Sequence, residues 1–317
     1  MRRYVVTGGA GFIGSHLCQA LLDRGDAVIC VDNFSSGSRN NLADFADSRH
    51  FELVEGDACE VLTGVTGPVD AVAHLACPAS PADYLARPLE TLAAGSRGTE
   101  AALELARAHG ARFMLASTSE VYGDPLVHPQ KEDYWGNVNP VGPRSVYDEA
   151  KRFSEALTAA YRRTCGLDAG IVRIFNTYGP RLRAGDGRVV SNFIVQALSN
   201  EPITVYGDGN QTRSFCYVED MVRGLLAMLA SRASGPINLG NPTELRVAEL
   251  AELVVSITRS SSLLSYHDLP EDDPMRRRPD ITLAKQLLTW QPSVPIEVGL
   301  ERTAQWFASA VAPCPQL

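Results

Sequence analysis

Short apolar runs of strand length alternate with longer stretches of helical period through the first half of the chain. Residues 4–7 read as a short buried strand and 11–24 as a helix with Ile13, Leu17, Leu21 and Leu22 on one face. Further strands are predicted at 27–31, 51–55, 69–73, 112–116 and 169–174, with helices at 89–109 and 146–165 between them. This alternation predicts an α/β fold, a doubly wound parallel sheet, over residues 1–175. After Asn176 the pattern changes. Loops bearing Gly and Pro dominate 179–209 around a helix at 191–199, and a helix at 218–231 and a strand at 236–239 follow. Helical pieces are predicted at 246–259 and 279–288. The change marks a smaller C-terminal substrate domain built from 176–213 and 241–310, with parts of 214–240 completing the first domain. The tail from Ala312 holds two Pro and is expected to fray.

Composition narrows the function classes. The formal net charge of the 317 residues is -8, which disfavours nucleic acid as a partner. A local Arg cluster can still hold a phosphate inside an acidic protein. The seven Cys form no CxxC pair and are odd in number, so structural zinc, or any other metal site, and a disulfide framework are not expected. Neither the apolar stretch of a signal peptide nor a run near the roughly 20 residues of a membrane span is present. The expectation is a cytoplasmic protein with no membrane partner.

The first strand runs into Gly8-Gly9-Ala10-Gly11-Phe12-Ile13-Gly14. Glycine in such a turn supplies positive φ or lets a phosphate approach the backbone. The following helix aims its free N–H groups and positive dipole end at a pyrophosphate. A glycine pattern alone is weak, but here it joins a strand to a helix at the start of a βαβ unit, the Rossmann arrangement. Asp32 ends the second strand, 18 residues beyond Gly14. A carboxylate there accepts hydrogen bonds from both adenosine ribose hydroxyls and repels a 2′-phosphate, so NAD is expected rather than NADP. Arg39, seven residues on, is the one nearby group that would suit the phosphate. Asp57 is either a ligand of the adenine amino group or a helix N-cap. The cofactor candidates are Gly8, Gly11, Phe12, Ile13, Gly14, Asp32, Asn33, Asp57, Ala58, Leu75, Ala76 and Ser117, with Tyr147 and Lys151.

Tyr147 and Lys151 stand four apart on a predicted helix and so share a face. A free Tyr, with a pKa of about 10, is a poor base. A nearby ammonium and the positive nicotinamide ring favour its phenolate, which takes the proton of a substrate hydroxyl while hydride goes to NAD. Ligands of doubly wound folds bind at the carboxyl ends of strands, which places Thr118 and Glu120, after the fifth strand, near the nicotinamide. The plain alternatives are a turn hydroxyl for Thr118 and a hydrated loop carboxylate for Glu120.

Longer motifs carry a resemblance. HLACPASP at 74–81, STSEVYGDP at 117–125, HPQKEDYWGNVNPVGPRSVYDEAKR at 128–152, RIFNTYGPR at 173–181, DGRVVSNFIVQAL at 186–198, VYGDGNQTRSF at 205–215 and DDPMRRRPDI at 272–281 occur in order. Together they resemble the extended short-chain dehydrogenase/reductase family over nearly the whole chain, with the nearest likeness to its UDP-glucuronic acid decarboxylase (UDP-xylose synthase) branch. The resemblance implies Tyr147 as base, Lys151 as its partner, Thr118 at the hydroxyl, Glu120 beside the sugar ring and Arg277 at the carboxylate region and the carbon left behind. It puts Tyr84 near the glucuronate carboxylate, and Asn176, Arg181, Val190, Tyr206, Gln211 and Arg213 along the nucleotide. Without it, Arg276–Arg278 would read as a solvated charge run. Three positions depart from the family: Cys77 for Ser, Ala150 for Gly and Gly95 for Asn. Gly95 is expected to leave a packing or water-relay position empty.

The implied reaction has three steps on a UDP- or dTDP-linked glucuronate. NAD oxidises the 4-hydroxyl, the β-keto acid loses carbon dioxide, and the 4-keto pentose is reduced to a xylose or released. Glu120 would supply the proton to carbon if its site raises its pKa. A 4,6-dehydratase needs an acid where Ser119 stands, a 4-epimerase has no use for Glu120 or Arg277, and a silent nucleotide sensor would not keep the full set of Thr118, Glu120, Tyr147 and Lys151. The Ala- and Leu-rich helices at 89–109 and 146–165 suggest a homodimer paired through them, by likeness to related enzymes.

Overall fold

The alternating runs become a seven-stranded parallel sheet in the computed structural model, which describes residues 1–268 and 276–311. Its strands are β1 (Arg3–Thr7), β2 (Ala27–Asp32), β3 (Phe51–Glu55), β4 (Ala71–His74), β5 (Arg112–Thr118), β6 (Ala169–Ile174) and β7 (Ile237–Leu239), in the order β7-β6-β5-β4-β1-β2-β3. The order reverses between β1 and β4, which opens a crevice at their carboxyl ends. Every residue of β5 is buried, as expected of a parallel strand covered on both faces.

Helices cover both faces. They include α1 (Phe12–Asp23), α2 (Pro81–Ala86), α3 (Pro88–Ala93), α4 (Thr99–His109), α5 (Ser145–Cys165), α6 (Val189–Leu198), α7 (Val218–Ala230), α8 (Val247–Thr258) and α9 (Ile296–Val311). Successive side chains of β1 point to opposite faces. Tyr4 and Val6 join a core with Leu17 and Leu21 of α1 and Met221 and Leu225 of α7, whereas Val5 joins one with Leu103 and Ala106 of α4. The first core continues without a break into Val190, Phe193, Leu250, Trp290, Leu300 and Phe307, so the C-terminal segments pack on the sheet's own core. There the strand Thr212–Ser214 lies between an antiparallel Glu244–Arg246 and a parallel Arg276–Arg277.

Several expectations shift. The predicted helix 89–109 is broken by a π turn, Ala94–Gly98, between α3 and α4. Such a turn absorbs an extra residue, and it does so where Gly95 meets α5. The strand predicted at 69–73 begins two residues later, at Ala71. Helix α9 was not predicted, although Leu300, Ala304 and Phe307 lie at helical spacing and are buried. The tail from Ala312 and residues 272–275 of the DDPMRRRPDI motif lie outside the described residues. Among the described residues no helix is long and apolar enough to cross a membrane.

Gly95 does not leave a void. A Cβ on it would lie 2.6 Å from the Cβ of Ala150 and 2.8 Å from the Ala150 carbonyl oxygen. The methyl of Ala150 therefore fills the space that Gly95 vacates, and Ser154 Oγ bridges the two backbones, 2.7 Å from Gly95 O and 2.8 Å from Ala150 O. The two departures from the family pattern are one packing solution. Gly95→Ala alone should destabilise the protein by about 1–3 kcal/mol through overpacking, and Ala150→Gly in the same chain should recover a large part of that loss. A double-mutant cycle by denaturant unfolding measures the coupling, and strict additivity would refute it.

Candidate active site

The β1–α1 turn is built by close backbone approach. Gly8 has φ +69, and a Cβ on it would lie 2.8 Å from Ala76 N, at the end of β4. A Cβ on Gly14 would lie 2.1 Å from Gly8 O. No side chain caps α1, so its first N–H groups are left for an anion. Asp32 is 8% exposed and braces this turn: Oδ2 accepts from Ala10 N at 2.9 Å and Oδ1 from Phe34 N at 2.8 Å. Burial raises its carboxyl above the usual value against the pull of these bonds. Arg39 is ion-paired with Glu55 and lies over the Phe34 ring, so it is already engaged away from a 2′-phosphate. Asp57 is an N-cap, accepting from Cys59 N at 3.0 Å, and its other oxygen faces Asn33. This backbone cradle, with a carboxylate at the end of β2, fits NAD.

All the residues nominated from the sequence line one cleft of about 1250 Å³. That exceeds the roughly 300–1,000 Å³ of an ordinary small-molecule pocket, so there is room for two nucleotides. Tyr147 and Lys151 are 5% and 4% exposed. Lys151 Nζ donates to Ala116 O at 2.9 Å and lies 5.9 Å from the centre of the Tyr147 ring. Burial, then Cys77 and Glu120, push the Tyr147 phenol well above its usual value, against Thr118 and Arg188. Thr118 combines both readings: its hydroxyl accepts from Glu120 N at 3.3 Å and hydrogen-bonds Tyr147. Ser117 lines the cleft, and its hydroxyl donates to Glu155 at 2.6 Å.

Glu120 lines the cleft, but its site does not raise its pKa. Burial would raise its carboxyl, but Arg144 at 2.9 Å and Arg277 at 3.7 Å outweigh it, and the group sits below the usual range. Glu120 is held as a carboxylate, not poised as an acid by apolar burial. Arg277 reaches it because Arg276, Arg277 and Arg278 are exposed, buried and half-buried, as strand alternation requires. Tyr84 stacks on Tyr147 with ring centres 5.2 Å apart, and its buried hydroxyl has no partner. Arg213 is 8% exposed on the strand beside Arg277, and Gln211 Nε2 donates to Tyr206 O at 2.5 Å. Val190 is buried on α6, and Asn176 O accepts from Cys216 N at 2.9 Å. Arg181 pairs with Asp44 at 2.7 Å and lies over Phe45, which ties it to the segment after β2 rather than to the strands bearing Arg213 and Arg277.

Arg144, Asp148 and His74 were not singled out from the sequence. Arg144 and Asp148 flank Tyr147 within a motif already recognised, and a charge on each side of a catalytic Tyr was the available signal. His74 is fully enclosed and pushed down to about 3 by burial and by Lys151, so it is neutral. It links Thr7 Oγ1 at 2.8 Å to Thr99 Oγ1 at 3.2 Å, and Thr99 continues to Ser154 on α5 at 3.0 Å. Because Asp32 holds both the turn and the ribose position, Asp32→Ala should weaken NAD binding by about 10–100-fold, the worth of roughly 1.5–3 kcal/mol per charged hydrogen bond. Titration calorimetry checks this, and unchanged affinity would sink the assignment.

Known proteins share this arrangement. The chain is 50% identical over 309 residues, 98% of its length and 70% of the relative's, to UDP-glucuronic acid decarboxylase 1 of Arabidopsis thaliana. Its fold is similar to UDP-glucose 4-epimerase of Thermotoga maritima, solved with UDP-glucose, with a TM-score of 0.89, 31% identity and coverage of 98% and 99% of the two chains. It is also similar to a mutant of the UDP-glucuronic acid 4-epimerase of Bacillus cereus in complex with UDP-4-deoxy-4-fluoro-glucuronic acid and NAD, with a TM-score of 0.87, 28% identity and coverage of 97% and 99%. Residues 4–240, from β1 through β7, match one family description. With the glycine cradle, Asp32 and the Tyr147–Lys151 pair in one cleft, this chain belongs to the NAD dependent epimerase/dehydratase family.

Proposed function

We propose that this chain is an NAD-dependent decarboxylase of a nucleotide-linked glucuronate, UDP-glucuronate above all, acting through a 4-keto intermediate to give a UDP-4-keto-pentose, UDP-xylose or both. The observation that carries this reading is the convergence of Arg144 and Arg277 on Glu120 beside Tyr84 and Tyr147. A sugar carboxylate entering there meets two guanidiniums and the unpartnered Tyr84 hydroxyl. The likeness to UDP-glucuronic acid decarboxylases supports the same substrate. A dehydratase is disfavoured because the buried Ser119 hydroxyl stands where an acid must serve the departing group.

Bound NAD supplies the positive charge that favours the Tyr147 phenolate and the electron sink for C4. Tyr147 takes the proton of the 4-hydroxyl, with Thr118 bonded to its phenol. Lys151, anchored on Ala116 O, would hold the cofactor's ribose. Arg277 and Tyr84 orient the carboxylate, and Asn176, Tyr206, Gln211 and Arg213 hold the nucleotide diphosphate. Residues 1–175 with parts of 214–240 serve as the cofactor domain, and 176–213 with 241–310 as the sugar-nucleotide domain.

The chain acts as a homodimer. Leu85, Leu89 and Leu92 on α2 and α3 and Phe153 on α5 are apolar, between 39% and 75% exposed, and lie on elements that pack together. A two-fold axis there would cover them with their own copies. We assign the protein to the cytoplasm, in keeping with the free thiols of Cys18, Cys30, Cys59, Cys77, Cys165 and Cys216.

Mass spectrometry of the nucleotide sugar formed from UDP-glucuronate with NAD tests the reaction, and recovery of only unchanged hexuronate would refute it. Tyr147→Phe should abolish every product. Arg277→Ala should slow release of carbon dioxide by about 10²–10³-fold, as when a fixed charge-stabilising donor is lost, with a far smaller effect on nucleotide affinity. Light scattering should give a dimer mass that Leu89→Lys with Phe153→Lys reduces to the monomer; a wild-type monomer would refute the pairing.

A further inference from the structure

Asp148 has the least provided-for carboxyl in the site. It follows Tyr147 in the first turn of α5 and is 6% exposed. Its Oδ1 is buried with no hydrogen-bond partner among the described residues. Its carboxyl hydrogen-bonds that of Glu120, which lines the cleft in front of it. The closest guanidinium contacts go to Glu120, from Arg144 at 2.9 Å and Arg277 at 3.7 Å. Two buried carboxyls that share a hydrogen bond cannot both be ionised, so the pair holds one proton. Glu120 has the guanidiniums, so the proton rests on Asp148.

We propose that Asp148 stores the proton that the substrate carbon receives when carbon dioxide leaves, and that Glu120 passes it across. The proposal rests on the decarboxylase reading above. In the 4-keto intermediate the C5–C6 bond breaks, carbon dioxide departs, and the electron pair becomes the C4–C5 enolate. Asp148 passes its proton to Glu120 and is left ionised, the C5–H bond forms with that proton as Glu120 returns to a carboxylate, and the C4 carbonyl returns. The net transfer is one proton from Asp148 to C5, and solvent restores it between turnovers. Arg277, with a pKa above about 12, is a poor donor.

Asp148 acts through Glu120 and is a positioning residue.

The groups facing Asp148 are Glu120 from the turn after β5, Arg144 just before α5, Arg277 from its short strand and Tyr84 from α2. Burial, then the charge of Glu120, push the Asp148 carboxyl up to about 8 against the two guanidiniums. A raised pKa means that the proton is present below that pH and lost above it. Formation of the keto-pentose should therefore slow as pH rises through about 8.

The test is a single-turnover rapid-quench experiment with UDP-glucuronate and NAD, run across that pH on wild type and on Asp148→Asn. It follows reduction of the bound nicotinamide, carbon dioxide and keto-pentose separately. Asp148→Asn should slow keto-pentose formation by about 10²-fold, the usual worth of a placed acid, far more than it slows nicotinamide reduction, and should remove the decline near pH 8. Keto-pentose formation by Asp148→Asn at the wild-type rate would overturn the proposal. So would a flat wild-type profile, which decides the matter even if the variant does not fold. Absence of carbon dioxide from wild type at every pH would instead overturn the decarboxylase reading, and the proposal with it.

Discussion

Glu120 is a buried carboxylate in the cleft, held below its usual range chiefly by two guanidiniums that offset the cost of burial. They arrive from distant parts of the chain, Arg144 from the approach to α5 and Arg277 from a two-residue strand far downstream. Removing one partner of a buried ion pair leaves an uncompensated charge, which costs about 3–5 kcal/mol. The small three-stranded sheet is best understood as the means of delivering Arg277. It pairs Arg277 with Arg213, turns Arg276 outward, and leaves Arg278 near Glu244 at 3.5 Å. Charge satisfaction in the cleft thus dictates the course of the C-terminal segments.

The cofactor half follows the opposite strategy. Its recognition surface is backbone, and its specificity depends on what is missing from Gly8 and Gly14. Such a surface is only as well placed as the elements beneath it. The chain of hydrogen bonds from Thr7 through His74 and Thr99 to Ser154 supplies that registration, joining β1 to the helix that carries Tyr147 and Lys151. Because His74 is neutral, this link carries no charge to be unbalanced as the reaction proceeds.

Much of this was legible in the sequence. The glycine turn, Asp32 at a strand end and the Tyr147–Lys151 spacing are local patterns, and local patterns survive folding. The parallel, doubly wound sheet was legible from alternation alone. What escaped depends on contacts between distant segments. Helix α9 has an apolar stripe at Leu300, Ala304 and Phe307, yet it follows the loop-rich region and was passed over. The sign of the Glu120 shift was not legible because it is set by Arg144, 24 residues away, and Arg277, further still. The ion pair of Arg181 with Asp44, 137 residues earlier, could not be read from the sequence either, although Arg181 lines the cleft as expected. Arg144 and Asp148 were visible beside Tyr147 but carried no pattern until Glu120 was seen between them.

The same reasoning explains why single departures from a family pattern mislead. Gly95 and Ala150 each look like a loss when read alone, one a missing side chain and the other an intruding methyl. In space they are neighbours, and the methyl occupies what the glycine gives up. The π turn at Ala94–Gly98 brings this contact onto α5 between Tyr147 and Lys151, one residue before the lysine. A change there acts on the catalytic pair through the spacing of two helices, without touching cofactor or substrate. The oxidation machinery is common to chains of this fold that carry out different reactions, so the fold does not choose among them. The choice lies in how charge is balanced once the oxidised sugar is formed. In this chain the described groups that meet in that part of the cleft are the Glu120 carboxylate, the Arg144 and Arg277 guanidiniums and the Asp148 carboxyl behind them.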